Sequence, residues 1–186
     1  MKRIVIILVL NLLIFNVVKS DEREKELTNL FNQLKNNNSL NVLNIEKKIW
    51  KIWTTHPSKN RIGFRLTKML AQGDRLLVEK DFNGALKVFS LIISLDSNWA
   101  EAWNKRATTF YLIGEYENSI EDIKKVLQLE SRHFGALSGL GLNQIELKNY
   151  EIALKSYQKV QQIYPEMKAA EVMIPMLKEL IKGQNI

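Results

Sequence analysis

Apolar positions recur with a helical period along most of the chain. After an acidic start at Asp21, residues Leu27, Leu30, Phe31 and Leu34 fall at i, i+3, i+4 and i+7, which predicts an amphipathic helix from Asp21 to Lys35. The string NNNS, Asn36 to Ser39, breaks it. Val42, Ile45, Ile49, Ile52 and Trp53 mark a second helix, which ends before HPSKN because Pro57 disfavours a helical residue ahead of it. Residues 21–60 therefore read as a helical hairpin, a degenerate unit or cap at the N-terminal end of the domain. Further on, Trp103, Ala107 and Phe110 recur at helical spacing with Tyr111 on the adjoining face. At the far end KAAEVMIPMLKELIKG predicts a terminal helix over residues 168–183; Pro175 should kink or divide it and Gly183 should end it.

Between hairpin and terminal helix the pattern has a second, longer period. From Leu66 the chain divides without gaps into three 34-residue pieces: LTKMLAQGDRLLVEKDFNGALKVFSLIISLDSNW, AEAWNKRATTFYLIGEYENSIEDIKKVLQLESRH and FGALSGLGLNQIELKNYEIALKSYQKVQQIYPEM. Met69, Trp103 and Leu137 are bulky, and Gly73, Ala107 and Gly141 are small. Phe82, Tyr116 and Tyr150 are aromatic; Ala85, Ser119 and Ala153 are small again. Phe89, Ile123 and Tyr157 come next, then Ile92, Val126 and Val160, and the pieces end at Ser97, Ser131 and Pro165.

This order of bulky, small, aromatic, small and bulky positions resembles the tetratricopeptide repeat, TPR. Ser119 stands where the family has alanine, Arg106 where it has leucine, and only the third unit keeps the closing proline. The strings AEAWNKRAT and RHFGALSGLG are similar to those of small exported bacterial proteins of this class. The resemblance implies an all-α fold, a right-handed α-solenoid of antiparallel helix pairs. Its units would be residues 66–99, 100–133 and 134–167, with the hairpin before them and a capping helix after. A pair of short helices cannot bury its own apolar stripe, so neighbouring pairs must stack. The aromatics of WNKRATTFYLIGEY then belong to the repeat core rather than to a base-stacking platform, with Lys105 and Arg106 solvated or packed along their stems.

The resemblance also implies a partner-binding concave groove, lined by positions 2, 5, 9, 12 and 13 of each unit's first helix. Position 2 supplies Thr67, Glu101 and Gly135. The candidate binding residues are Leu70, Asp74, Leu77, Glu101, Asn104, Thr108, Tyr111, Leu142 and Ile145. Such a mixture suits an extended peptide or an amphipathic helix. The alternative is a groove covered by the chain's own hairpin, in a structural component that associates with copies of itself through the solenoid edges. Relatives that grip a C-terminal carboxylate do so with basic and amide side chains. The corresponding positions are Leu70, Asp74, Lys105, Gly135 and Gly139, of which one is basic and one would repel an anion, so that mode is not expected.

Composition changes the picture in one place. Hydrophobic residues make up 46% of the chain and charged residues 25%, ordinary for a globular protein of 186 residues. The beginning is different: Lys2 and Arg3 precede an apolar run from Ile4 to Val18, followed by Val18-Lys19-Ser20 and an abrupt DEREKE. That is the layout of a secretory signal over residues 1–20, cleaved near Ser20 and Asp21. The run is shorter than the roughly 20 residues that span a bilayer. The expected location is periplasmic or secreted, with an uncleaved N-terminal membrane anchor as the alternative. Cleavage would lower the formal charge from +7 to +4, with 24 basic and 20 acidic residues of mixed distribution. Export and mixed signs both speak against a nucleic-acid partner.

Nothing in the chain assembles a reaction centre. Without cysteine there is no disulfide, thiol nucleophile or zinc–thiolate site. The two histidines, His56 and His133, stand beside no nucleophile, HExxH or phosphate-binding loop. No catalytic residue, cofactor or metal is expected, and the expected partner is a protein or peptide.

Overall fold

The 34-residue period becomes three stacked helix pairs. The computed structural model describes residues 22–36 and 41–184, all-helical with no strand among them. The expected signal segment and most of the NNNS break lie outside the described residues. Helix α1 covers 22–36 and α2 Val42–Thr54. The first pair is α3 (Arg61–Val78) with α4 (Phe82–Leu95), the second α5 (Ala100–Leu112) with α6 (Tyr116–Leu129), the third α7 (Phe134–Glu146) with α8 (Tyr150–Ile163). Helix α9, Lys168–Gln184, packs on α8.

Each pair turns at one left-handed residue, at the same place in the period. Lys80, Gly114 and Lys148 have φ of 61°, 81° and 60°. The next residue's N–H reaches back five positions: Asp81 to the carbonyl of Leu76, Glu115 to Phe110, Asn149 to Gln144, at 2.9, 2.9 and 2.7 Å. This closes carbonyls left free at the helix end. Only the second unit has the glycine that this backbone favours. In the first unit the second helix restarts on a side-chain cap, the carboxylate of Asp81 accepting from the N–H of Gly84 at 2.9 Å; α6 and α8 start without one. Helix α3 begins five residues before the first unit of the period because the Asn60 side chain caps it, accepting from Gly63 at 2.9 Å.

Within each pair, the small residue of the first helix receives a large one from the second. The ring of Phe89 fills the space beside Gly73, and that of Tyr157 the space beside Gly141. A Cβ on Gly73 would lie 2.3 Å from Phe89 Cε1, and one on Gly141 2.5 Å from Tyr157 Cε2. In the second unit the small residue is Ala107, and its partner shrinks to Ile123 in the same buried cluster. The columns are thus complementary pairs, close-packed as interiors are. Burial pushes the phenol of Tyr157 up to about 12, so its ring stays neutral in the core.

Two local readings change, those of Arg106 and of the terminal helix. Arg106 is not solvated: its Nε and Nη2 donate to the Asp122 carboxylate at 2.7 and 2.8 Å, Nη1 donates to Ser90 Oγ, and the guanidinium lies 5.0 Å from the Trp103 ring. The position that loses a leucine gains a bidentate pair across the unit. Trp103 itself is half-buried, packs against both the first and second units, and donates from Nε1 to the Ser97 carbonyl. One helix runs through Pro175 and includes Gly183, instead of dividing. Pro175 and Glu171 are both exposed, so the carbonyl that Pro175 cannot bond faces water.

Gly141→Ala should cost about 1–3 kcal/mol in urea unfolding, because Tyr157 must move. Gly139→Ala, whose Cβ would meet Ile123 Cδ1 at an ordinary 3.5 Å, should instead stabilise by about 0.5–1 kcal/mol. Equal effects of the two changes would refute the close-approach account.

Candidate functional site

The N-terminal hairpin lies across the position-2 residues of all three units. The backbone N–H of His56, just past α2, donates to Thr67 Oγ1 at 3.0 Å. Glu101 is 1% exposed and bonded through its carboxylate to His133 Nε2 at 3.0 Å. The Trp50 ring sits on Gly135, so close that a Cβ there would lie 2.7 Å from its Cη2. Helix α2 therefore runs from the third unit to the first, its apolar face Val42, Ile45, Ile49 and Trp53 buried in one cluster with α1, α7, α8 and α9.

Two rings fix this seat. Trp53 stacks on His133 with centroids 3.9 Å apart and planes 10° from parallel. Phe134 meets Phe31, Trp50, Trp53 and Tyr164 at 6.4, 5.4, 5.0 and 5.5 Å. Edge and tilted contacts of this kind add to what burial supplies. His133 Nδ1 accepts from the N–H of Ala136 at 3.0 Å, capping α7. Its ring proton is therefore on Nε2, donated to Glu101. His56 repeats the arrangement, with Nδ1 accepting from Ser58 and Nε2 on Asp96 at 2.8 Å. At the outer edge Arg132 ties Glu24 of α1 at 2.8 Å to Glu130, also 2.8 Å, with its guanidinium 4.8 Å from the Phe31 ring. Burial alone would raise the Glu130 carboxyl, but hydrogen bonds from the Arg132 side chain and backbone hold it below the usual range. Tyr164 Oη donates to Glu46 of α2 at 3.0 Å, and burial followed by that bond pushes its phenol far up.

Beyond the hairpin the groove opens. A cavity of about 180 Å³ is lined by Asn104, Thr108 and Tyr111 of α5, Ser138, Leu142 and Asn143 of α7, and Ser119 and Ile123 of α6. Of the sequence candidates it brings together Asn104, Thr108, Tyr111 and Leu142. Leu70 is buried in the core of the first unit and Leu77 packs against that core. Ile145 packs on the cluster beneath the hairpin, and Glu101 lines a second cavity of about 240 Å³ under α1 and α2. Asp74 is paired with Lys105 at 3.0 Å. Lys105, the single cation among the carboxylate-gripping positions, is thus already engaged.

The cavity's polar atoms are mostly acceptors. Thr108 Oγ1 donates its proton to the Asn104 carbonyl, and Ser138 Oγ to the Phe134 carbonyl, both at 2.9 Å. Asn104 Nδ2 is directed at Glu101. Asn143 Nδ2 donates to Ser119 Oγ and the Gly139 carbonyl, while its fully buried Oδ1 has no partner. The hydroxyls of Tyr111 and Ser119 are donors; for Tyr111, burial, then the Glu146 carboxylate, push its phenol up and keep its proton on. Asn143 was not among the sequence candidates. The serine at position 119, where the family has alanine, was the signal, since it is the partner of Asn143.

An all-helical solenoid of 34-residue pairs with a groove of this kind defines a repeat-type binding domain. A model of the tetratricopeptide repeat matches residues 100–133 and 135–167. A TPR repeat-containing protein of Rhizobium etli is 33% identical over 168 residues, covering 89% of this chain and 79% of that protein. The chain belongs to the tetratricopeptide-repeat family. A lipoprotein NlpI homolog of Haemophilus influenzae is 32% identical over 76 residues, 41% of this chain and 24% of that protein. Among solved structures, MamA aligns over 90% of this chain and 82% of its own, with TM-score 0.59 and 18% identity. The first TPR of Spaghetti (RPAP3), bound to the HSP90 peptide SRMEEVD, aligns over 63% of this chain and 93% of its own, with TM-score 0.61 and 15% identity. No described helix is long and apolar enough to cross a membrane, and no described cluster of His, Asp and Glu could hold a metal ion.

Trp53→Ala should cost about 3–5 kcal/mol, the scale of a large aromatic truncated in a core. Amide hydrogen exchange should then quicken in α2 while α3 and α4 keep their protection. Uniform loss of protection along the chain would show that the hairpin is not a separable seat.

Proposed function

We propose that this chain is a non-enzymatic scaffold, exported to the bacterial cell envelope, that binds a protein or peptide partner in the open half of its groove. The observation that carries this reading is the acceptor-lined cavity between α5 and α7. Asn143 Oδ1, buried and unpartnered, and the hydroxyl oxygens of Thr108 and Ser138 call for a ligand that brings N–H or O–H donors. An extended backbone does so at regular intervals, and Tyr111 and Leu142 supply apolar area beside it. The peptide in the RPAP3 complex, SRMEEVD, is rich in carboxylates. Here a carboxylate would meet lone pairs, with Lys105 already held by Asp74. The partner segment is therefore uncharged or basic where it enters the cavity.

The self-filled alternative draws on a specific feature too: α2 covers the position-2 row, and α9 leaves Val172, Met176 and Leu180 exposed on its outer face for association with another copy. The two readings separate on one variant. Asn104→Ala combined with Tyr111→Ala should weaken capture of a cross-linked envelope partner by about 2 kcal/mol, the scale of an interface hot spot, with helicity unchanged. Unfolding of that variant would favour the self-filled groove, and normal binding by a folded variant would move the partner to another surface.

Export carries its own expectation. The mature protein should begin near Asp21 and be released by mild disruption of the outer membrane. A full-length mass in the cytoplasmic fraction would overturn it.

A further inference from the structure

The expectation of evenly mixed signs fails in one segment, where the positive charge of the chain is concentrated. Between Lys47 and Gly73 stand Lys47, Lys48, Lys51, Lys59, Arg61, Arg65 and Lys68 and no acidic residue, a charge of +7 within 27 residues. From Asp21 onward the rest of the chain sums to −3. All seven cations are exposed, and none takes part in a salt bridge among the described residues. The fold draws this segment into a corner. The loop after α2 is held on the start of α3 by the His56–Thr67 bond and by the Ser58 carbonyl lying against Gly63. Arg23, at the start of α1, donates to the carbonyls of Ile52 and Thr55 at 2.7 and 3.0 Å. Amid the cations Ile62 and Phe64 are 63% and 68% exposed.

We propose that this corner docks on an anionic lipid surface, its cations against the headgroups and Ile62 and Phe64 entering the headgroup–acyl boundary. Basic side chains around a few exposed apolar ones are the composition of an interfacial docking face. The apolar run Ile4–Val18 ends five residues before Arg23, and five extended residues reach at most about 18 Å. Before the cleavage expected near Asp21, any bilayer that receives this run is therefore within reach of the corner. A nucleic-acid strand fits less well, because a strand stacks successive bases on several rings, and at the corner Phe64 stands alone, Trp53 and Trp99 being buried. The corner is separate from the groove and acts whether or not the groove is occupied.

Flotation of the full chain with vesicles tests it. In about 0.1 M salt, partition onto phosphatidylcholine vesicles containing about 30% phosphatidylglycerol should exceed that onto pure phosphatidylcholine at least about 100-fold, given about five-fold per cation near such a surface. The apolar run contributes to both vesicles, and Lys2, Arg3 and Lys19 beside it are common to every variant, so the part of the excess lost on reversing the corner's charges reads the corner. Lys59→Glu, Arg61→Glu, Arg65→Glu and Lys68→Glu together should remove most of the excess and leave partition onto neutral vesicles unchanged. Ile62→Ser with Phe64→Ser should lower it about ten-fold at constant charge. Raising salt to about 0.5 M should remove it from the unaltered chain, which decides the matter even if a variant fails to fold. No excess, an excess undiminished by the reversals, one that survives high salt, or unchanged binding of the serine variant would overturn the proposal. So would displacement from the vesicles by a single-stranded oligonucleotide or an acidic peptide at lower concentration than by free anionic vesicles.

Discussion

The seat of Trp53 on His133 is the contact on which the arrangement of the chain depends. His133 is fully buried, and each of its atoms has an assignment: Nδ1 caps α7, Nε2–H holds Glu101, and the ring face carries the indole. A neutral imidazole in one tautomer meets all three, and no other side chain of that size has an acceptor and a donor on opposite edges of an aromatic plane. The residue thus joins the second unit to the third through Glu101, and both to the hairpin through Trp53. Phe134, next in sequence, extends the joint to α1 and the third unit's end through Phe31 and Tyr164. Four parts of the chain meet at two consecutive residues.

That joint divides the groove. Because α2 sits on Thr67, Glu101 and Gly135, the first-turn positions of the three units are covered; Asn104 is buried beside them, and what remains open lies from Thr108 to Tyr111 and from Ser138 to Leu142. The covered half also sets the chemistry of the open half. Glu101, held by His133, draws the Asn104 amide toward itself. Thr108 then spends its proton on the Asn104 carbonyl. The Asn104 amide and the Thr108 proton are used inside the fold, which leaves lone pairs of Thr108 Oγ1 toward the cavity. A groove with the same residues but no hairpin would leave Glu101 and its neighbours to water and would have no such bias.

The periodic part of this structure was legible in the sequence because repeat packing is local. Gly73 with Phe89 and Gly141 with Tyr157 are pairs 16 residues apart, repeated at a fixed interval, and the second unit's Ala107 with Ile123 shows the same complementarity in its own volumes. The hairpin's place was not legible. Its partners His133 and Phe134 are about 80 residues away, and its apolar stripe fits either a stacked unit or a folded-back one. The groove candidates were legible by position but not by exposure: Leu70 and Glu101 occupy the expected register and are buried by first-unit packing and the His133 joint respectively. Arg106 and Ser119 departed from the family pattern, and both departures are polar pairs, Arg106 with Asp122 within the second unit and Ser119 with Asn143 between the second and third. A departure at a buried position was the sequence's one pointer to the cavity floor.

Folding the hairpin back has a further structural consequence. A stacked array needs a polar outer face at each end. Had α1 and α2 stacked as a leading unit, they would have covered α3 and faced outward themselves. Lying in the groove, they leave the outer face of α3 as the end of the array, and that face carries Arg61, Arg65, Lys68, Gln72 and Arg75 beside the exposed Phe64 and Val78. Solubility alone asks for polar residues of either sign there; it does not ask for an all-cationic run, nor for an exposed phenyl ring. The opposite end answers the same need with alternating signs, Lys168 paired with Glu171 and Lys182 with Glu179. One end of the array is therefore a neutralised cap and the other an unneutralised one. The difference arises from where two aromatic rings in α2 found their partners.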